Sequence, residues 1–270
     1  MMTDQEGSAG VVDAPDYNYR TSKYYERARQ LVTGEVNAAI EGILETGDHE
    51  IIVVDGHGQG AIDLQIIHPA VRVLTGRPLS FAFGFDGSFD ALLFVGQHAK
   101  SNTDGGHLSH TMSFTWDDFV LNGLSIGELG YYMALAGEFD VPTILVTGDQ
   151  AACDEAQMLV PGIETAVVKE GWKSGPATDL TGPQNELHNG GAYHLAPSAA
   201  QDLIRQKATQ AVERIGDIPP FRTTPPYDLV TILRPVQPGG PRQIARNFAN
   251  DLLTLGAMSR TFEIEPTGMG

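Results

Sequence analysis

Cysteine is almost absent from this chain: of 270 residues, only Cys153 carries a thiol. An intrachain disulfide is therefore excluded, which fits a reducing compartment. Cys153 stands among Asp149, Asp154 and Glu155. Neighbouring acids raise a thiol pKa, so it reads as an ordinary helical residue and not as a nucleophile. Basic residues are scarce too, with 17 Lys and Arg against 34 Asp and Glu and a formal net charge of −17. Such a balance repels phosphate backbones and anionic headgroups, so neither nucleic acid nor membrane is an expected partner. No apolar run is long enough to span a bilayer, and no basic stretch followed by an apolar core opens the chain. A soluble, cytoplasmic protein is the expectation.

What is present is enough apolar residue, 41%, for one large core or two modest ones. Tyr25, Ala28, Val32, Val36, Ala39, Ile40 and Ile43 recur at helical spacing and predict a long amphipathic helix over 24–44. Short β-branched or apolar runs at 51–54, 91–95 and 143–146 predict buried strands. Helical stretches are expected at 126–136, 149–158 and 197–214. This alternation predicts an α/β fold, layered, with a mostly parallel central sheet flanked by helices.

Residues 1–170 are expected to form that α/β domain. Residues 171–193 are rich in Gly, Pro, Asn and Thr, lack periodicity and read as a long loop or insertion. Residues 194–270 are expected as a smaller C-terminal α+β subdomain packed on the first. It would hold a linker at 219–226, a strand at 228–233, a helix at 241–255 and a late strand at 261–265.

Acids and histidines recur where strands should end. Asp4 and Glu6 are two apart, and on a strand they would share a face. Two carboxylates side by side repel unless a cation or proton lies between them. Taken alone, the pair also fits an exposed acidic terminus. His57 follows the strand at 51–54 and His98 follows the one at 91–95, the places where open α/β sheets bind ligands. Glu128 completes Ser125-Ile126-Gly127-Glu128, which fits a helical capping box with Ser125 as N-cap. It could also face a site beside the strand ends. His110 precedes a strand-like stretch at 111–114 and is a candidate general base. His49, His68, His107, His188 and His194 lack such placement and read as structural or surface residues. Asp, Glu and His together are ligands for zinc and similar metals, so the pattern suggests a metallohydrolase. Gly56, Gly58 and Gly60 lack dinucleotide spacing, and no Lys-Ser/Thr pair follows, which disfavours a phosphate loop.

The chain resembles the bacterial D-aminopeptidases of the dipeptide-operon type, which are dizinc peptidases. The stretches that carry the resemblance are Asp4-Gln5-Glu6-Gly7, Tyr25-Glu26-Arg27-Ala28-Arg29, Glu35-Val36-Asn37-Ala38-Ala39, Gly96-Gln97-His98-Ala99, Ser109-His110-Thr111-Met112 and Gly127-Glu128-Leu129-Gly130. Their order and spacing, more than any single motif, make the match.

The resemblance implies that Asp4 bridges two zinc ions per subunit. Glu6, His57, His98 and Glu128 would be the remaining metal ligands, and His110 the catalytic histidine. It implies hydrolysis of the peptide bond after an N-terminal D-amino acid, by a zinc-activated water, on a small peptide substrate. It also implies a homo-oligomer, a ring-based decamer with sites facing an inner channel. Only three residues precede Asp4, which implies a short first strand or a start further upstream. The stretch 171–193 is longer than the family's usual connection, and is expected to cover the site or a subunit contact and to alter substrate choice. Two other readings share the ligand set: an amidase acting on another small amide or an L-peptide, and a metal-binding ring protein without turnover.

Overall fold

A computed structural model describes residues 1–79, 81–172, 175 and 177–265. Its main layer is a seven-stranded sheet. In spatial order the strands are β3 (Val71–Leu74), β2 (Ile51–Asp55), β1 (Met2–Thr3), β4 (Leu92–Gln97), β7 (Thr143–Asp149), β8 (Glu164–Gly171) and β9 (Ala192–His194). Every pairing is parallel except that of β9 with β8. The chain runs outward from β1 through β2 to β3, then returns to β4 on the other side of β1. That reversal places a topological switch at β1 and β4, the position where such sheets open a crevice at the strand ends.

After the short α1 (Ala14–Tyr17), helix α2 (Tyr25–Leu44) follows the predicted stripe, with Ala28, Val32, Val36, Ala39, Ile40 and Ile43 all buried. Burying each Val or Ile side chain contributes roughly 1.5–3 kcal/mol. Beside it lies α6 (Pro197–Glu213), which presents Ala200, Ile204, Ala208 and Ala211 to the same core. Helices α3 (Glu128–Glu138) and α4 (Gln150–Leu159) pack on β4 and β7, both buried at every residue. Helix α2 packs against α6 and α3 against α4, two separate helix pairs laid on the sheet. Cys153 lies inside α4, fully buried, and burial first, then Asp149 and Asp154, push its thiol up.

A second sheet is antiparallel. Its order is β12 (Glu263–Ile264), β11 (Gln243–Ala249), β10 (Tyr227–Leu233), β5 (Trp116–Leu121) and β6 (Leu124–Ser125). Its core joins Phe119, Leu121, Tyr227 and Leu229 to Tyr131 and Leu135 of α3 and to Leu252 and Leu255 of α7 (Leu252–Ala257). Helix α3 thus links the two sheets.

The helix expected over 241–255 is instead β11 followed by α7. Ala245 and Asn247 are buried while Arg246 and Phe248 are exposed, a period of two that pairs with β10 from Tyr227↔Ala249 to Leu233↔Gln243. The strand expected at 111–114 reduces to one isolated bridge, Thr111↔Ser113. Within 171–193, residues Gly182–His188 form α5, which has no apolar stripe and begins at a capping box between Thr181 and Gln184. Of the residues after 194, α6 joins the first sheet and the strands join the second. No helix among the described residues is long and apolar enough to cross a membrane.

Candidate metal centre

Asp4 and Glu6 lie just beyond β1 and not on it, because β1 ends at Thr3. They occupy a tight turn laid against the end of β4. Asp4 N–H donates to the Val95 carbonyl at 2.9 Å and Gly7 N–H to the Gly96 carbonyl at 2.8 Å. The approach is so close that a Cβ on Gly7 would lie 2.1 Å from the Gln97 oxygen. One on Gly96, at φ +78, would lie 2.2 Å from the Asp4 oxygen. Glycine is required on both sides of this contact.

His57 follows β2 in a loop that Asp55 ties down, its carboxylate accepting from Ala61 N–H at 2.7 Å and from the Thr75 hydroxyl at 2.7 Å. His98 follows β4. Glu128 is the first residue of α3, and the capping box expected with Ser125 does not form. Ser125 lies in β6, where its hydroxyl donates to Asp118 at 2.7 Å, and Gly127 is the N-cap. The Glu128 carboxylate is left to accept from Met112 N–H and to face His98. His110 sits on the loop between β4 and β5, flanked by Leu108 at φ 54 and Met112 at φ 59. Left-handed backbone at such residues costs on the order of 1 kcal/mol each and is commonly held at functional sites.

These side chains converge. His57 Nδ1 lies 3.1 Å from Asp4 Oδ1 and 3.1 Å from Glu6 Oε2. On the other side of Asp4, His98 Nε2 lies 3.4 Å from Oδ2 and 3.7 Å from Glu128 Oε1. Ligand atoms of His98, His110 and Glu128 lie within 4.8 Å of one another, as do those of Asp4, Glu6 and His98. All except Glu128 are buried.

The hydrogen bonds around the ring nitrogens decide what this cluster can hold. His57 Nε2 faces the Asn18 carbonyl at 3.0 Å and His98 Nδ1 faces the Ala99 carbonyl at 2.9 Å. A carbonyl only accepts, so those nitrogens carry the protons. The nitrogens pointing inward are then bare lone pairs aimed at carboxylate oxygens, which are also acceptors. His98 Nε2 is buried with no hydrogen-bond partner among the described residues. Either each ring takes a second proton or a cation lies between the groups. Ligands about 2.1 Å from a tetrahedral zinc lie about 3.4 Å apart, close to these separations. A carbonyl on the outer nitrogen is the usual orienting contact of a metal-bound histidine. The donor set therefore fits zinc.

The electrostatics agree. Burial opposes charge on both rings, but Glu6 and Asp4 hold His57 well above the ordinary histidine range, and Asp4 and Glu128 do the same for His98. Burial alone would raise Asp4, and His57 and His98 instead bring it well below the carboxylate range. The pocket is built for positive charge among carboxylates. His110 is different: burial and then the charge of His98 lower its pKa, which favours the neutral ring. It stacks on His98 with centroids 3.9 Å apart, and its Nδ1 faces the Leu108 carbonyl at 2.8 Å.

Several contributors had no sequence signal. Asn18 donates to Glu6 Oε1 at 2.8 Å. Lys169 is buried behind the turn, donating to the Glu6 carbonyl and to the Val11 carbonyl, the latter at 3.3 Å. Burial lowers its pKa to about 8 against the pull of Asp149, Glu35 and Glu6. Neither residue stands at a strand end in a recognisable motif. His49, His68, His107, His188 and His194 lie outside the cluster. His107 is fully buried against the Val12 carbonyl at 2.9 Å, and burial brings it down to about 2.

The cluster floors a cavity of about 520 Å³ whose walls include Tyr19, Phe114, Tyr132 and Glu186. Residues 1–235 match the peptidase M55 family, described as D-aminopeptidase. The chain belongs to this D-aminopeptidase family. A D-aminopeptidase of Bacillus subtilis (strain 168) is 32% identical over 231 residues, covering 84% of this chain and 77% of that protein. The solved structure of the zinc-dependent D-aminopeptidase DppA from Bacillus subtilis, a self-compartmentalizing protease, superimposes with a TM-score of 0.80. It is 26% identical and covers 93% of this chain and 92% of that one. The expected layered α/β fold is therefore that of a solved D-aminopeptidase.

Proposed function

We propose that the chain is a zinc-dependent D-aminopeptidase that releases an N-terminal D-amino acid from a small peptide. One observation carries this reading in a chain of the D-aminopeptidase family. The two oxygens of Asp4 face different histidines, Oδ1 towards His57 and Oδ2 towards His98. That arrangement suits a carboxylate shared by two ions. Glu6 and His57 would complete one ion's ligands, and His98 and Glu128 the other's.

Zinc bound there supplies a Lewis acid and makes water acidic enough to attack near neutral pH. The protein's own groups do the rest. His110, neutral and held by the Leu108 carbonyl, presents Nε2 to the cavity as the group that takes a proton from water and returns it to the departing amine. Its stacking on His98 fixes the ring plane. The cavity volume suits a dipeptide-sized substrate. A homo-oligomeric ring, a decamer, is the assembly in keeping with the self-compartmentalizing relative.

The test pairs zinc analysis of gently purified protein with a panel of D- and L-aminoacyl amides and peptides. The expected outcome is about two zinc ions per chain and cleavage confined to substrates with a free N-terminal D-residue. Cleavage of L-substrates alone would make it an amidase or L-peptidase, and zinc without turnover would make it a binding protein.

A further inference from the structure

An aminopeptidase must recognise a free amine, and none of the metal-facing carboxylates is spare for that task. Four carboxylates line the cavity: Asp4, Glu6, Glu128 and Glu186. The first three are turned to His57 and His98. Glu186 is not. Among the described residues, no Lys or Arg lines the cavity, so Glu186 has no counter-charge there.

Its position is fixed from both sides. It lies on α5, and two asparagines of this segment pin it to the loop that bears His110. Asn185 Nδ2 donates to the Phe114 carbonyl at 3.4 Å, and Asn189 Nδ2 donates to the Ser109 hydroxyl at 2.8 Å. Leu108 N–H in turn donates to the Asn189 carbonyl at 3.1 Å. The Tyr19 hydroxyl donates to Glu186 Oε1 at 2.6 Å. Burial, then Glu186 and more weakly Glu6, raise the Tyr19 pKa, so this hydroxyl remains a donor. One phenol thus lies within reach of the field of both Glu186 and Glu6, while Oε2 of Glu186 accepts no hydrogen bond among the described residues. Tyr19 follows Asn18, whose carbonyl orients His57.

Resting on the D-aminopeptidase reading, we infer that Glu186 is the anchor for the substrate's α-ammonium group, with Tyr19 as the positioning residue that aims it. The substrate class follows. A protonated amine is bound across the cavity from the metal ligands. A free carboxylate at the other end meets no Lys or Arg among the described lining residues, so D-aminoacyl amides and longer peptides are accepted as readily as dipeptides. The segment 171–193 therefore takes part in substrate choice through one carboxylate on one short helix.

The experiment measures KM and kcat for D-alanyl-p-nitroanilide on the zinc-loaded enzyme, with zinc content and melting temperature followed in parallel. Glu186→Gln is expected to raise KM by about 10- to 100-fold, the size expected when one partner of a charged hydrogen bond is removed, with kcat within about threefold. Zinc content and melting temperature should match wild type. Glu186→Asp should recover part of the affinity. Tyr19→Phe, which keeps the carboxylate, should raise KM by no more than about threefold, as for one lost neutral hydrogen bond. A KM for Glu186→Gln within about twofold of wild type overturns the anchor. So does a Tyr19→Phe variant that reproduces the whole effect, since the role would then be structural. If wild type cuts only the L-isomer, the D-aminopeptidase reading fails by itself, because Glu186→Gln must still raise KM for that isomer by the same factor. Cutting neither isomer overturns both.

Discussion

A histidine's second nitrogen tells more about this centre than its first. His57, His98 and His110 each present one ring nitrogen to a backbone carbonyl, those of Asn18, Ala99 and Leu108. The three carbonyls fix three tautomers and leave three lone pairs turned inward. For His57 and His98 those lone pairs meet carboxylates, which suits ligands. Among the described residues His110 has no carboxylate contact short enough to be an ion pair, and its lowered pKa suits a proton acceptor. His110→Ala should therefore reduce kcat by about 100-fold or more, the usual size of general acid–base effects, with zinc content unchanged. Loss of zinc from that variant, measured by elemental analysis, would move His110 into the ligand set. Of the six residues that converge here, His57 and His98 stand after apolar runs where a site is expected, whereas Asp4, Glu6, His110 and Glu128 admitted other readings and were singled out by the family resemblance. Asn18, Tyr19, Lys169 and Glu186 were not. They are common polar residues whose only distinction is where the fold carries them.

Elements place those residues through contacts that sequence patterns show unevenly. The stripe of α2 and the apolar runs of β2, β4 and β7 repeat often enough to be read directly. The segment 243–249 was not legible as a strand, because Arg246 and Asn247 dilute its alternation and β-pairing to β10 decides it. Glu128 shows a related failure. Ser125 and Glu128 have capping-box spacing, but pairing of β6 with β5 claims Ser125 first. The helix then starts two residues later and turns Glu128 to the site. The interlock between the turn at 4–7 and the end of β4 is the most demanding contact of this kind. A methyl on Gly96 would require both a left-handed alanine and displacement of the Asp4 carbonyl. The dihedral alone costs on the order of 1 kcal/mol. Displacing the carbonyl adds to that and shifts the Asp4 carboxylate. Gly96→Ala should lower stability by more than about 2 kcal/mol in urea unfolding and reduce zinc occupancy even where the variant folds. Full zinc occupancy in a folded Gly96→Ala protein would show that the turn does not set Asp4.

At the scale of the whole molecule, stability should record a buried charge system that extends behind the proposed metal ligands. Glu35 on α2 accepts from Ala9 N–H at 2.7 Å and is buried. Burial raises its pKa from 4.5 to about 7, against the backbone N–H of Ala9, the Ser8 hydroxyl and the charge of Lys169. The folded state therefore holds this proton at pH values where the unfolded chain has lost it. Between about pH 4.5 and 7 the native protein binds more protons than the unfolded one, so this group's contribution to stability is complete below 4.5 and falls as pH rises through 7. At about 1.4 kcal/mol per pH unit, the full span amounts to about 3 kcal/mol. Metal binding runs the other way, because acid protonates the ligands and releases zinc. Wild type alone therefore shows the sum of two opposing slopes. Glu35→Gln keeps a neutral side chain of the same shape and removes one slope only. The stability difference between variant and wild type, measured by urea unfolding at matched zinc, should be small at pH 5 and favour the variant by up to about 3 kcal/mol at pH 8. A difference independent of pH would mean that Glu35 is ionised in the native protein, with Lys169 as its full counter-ion.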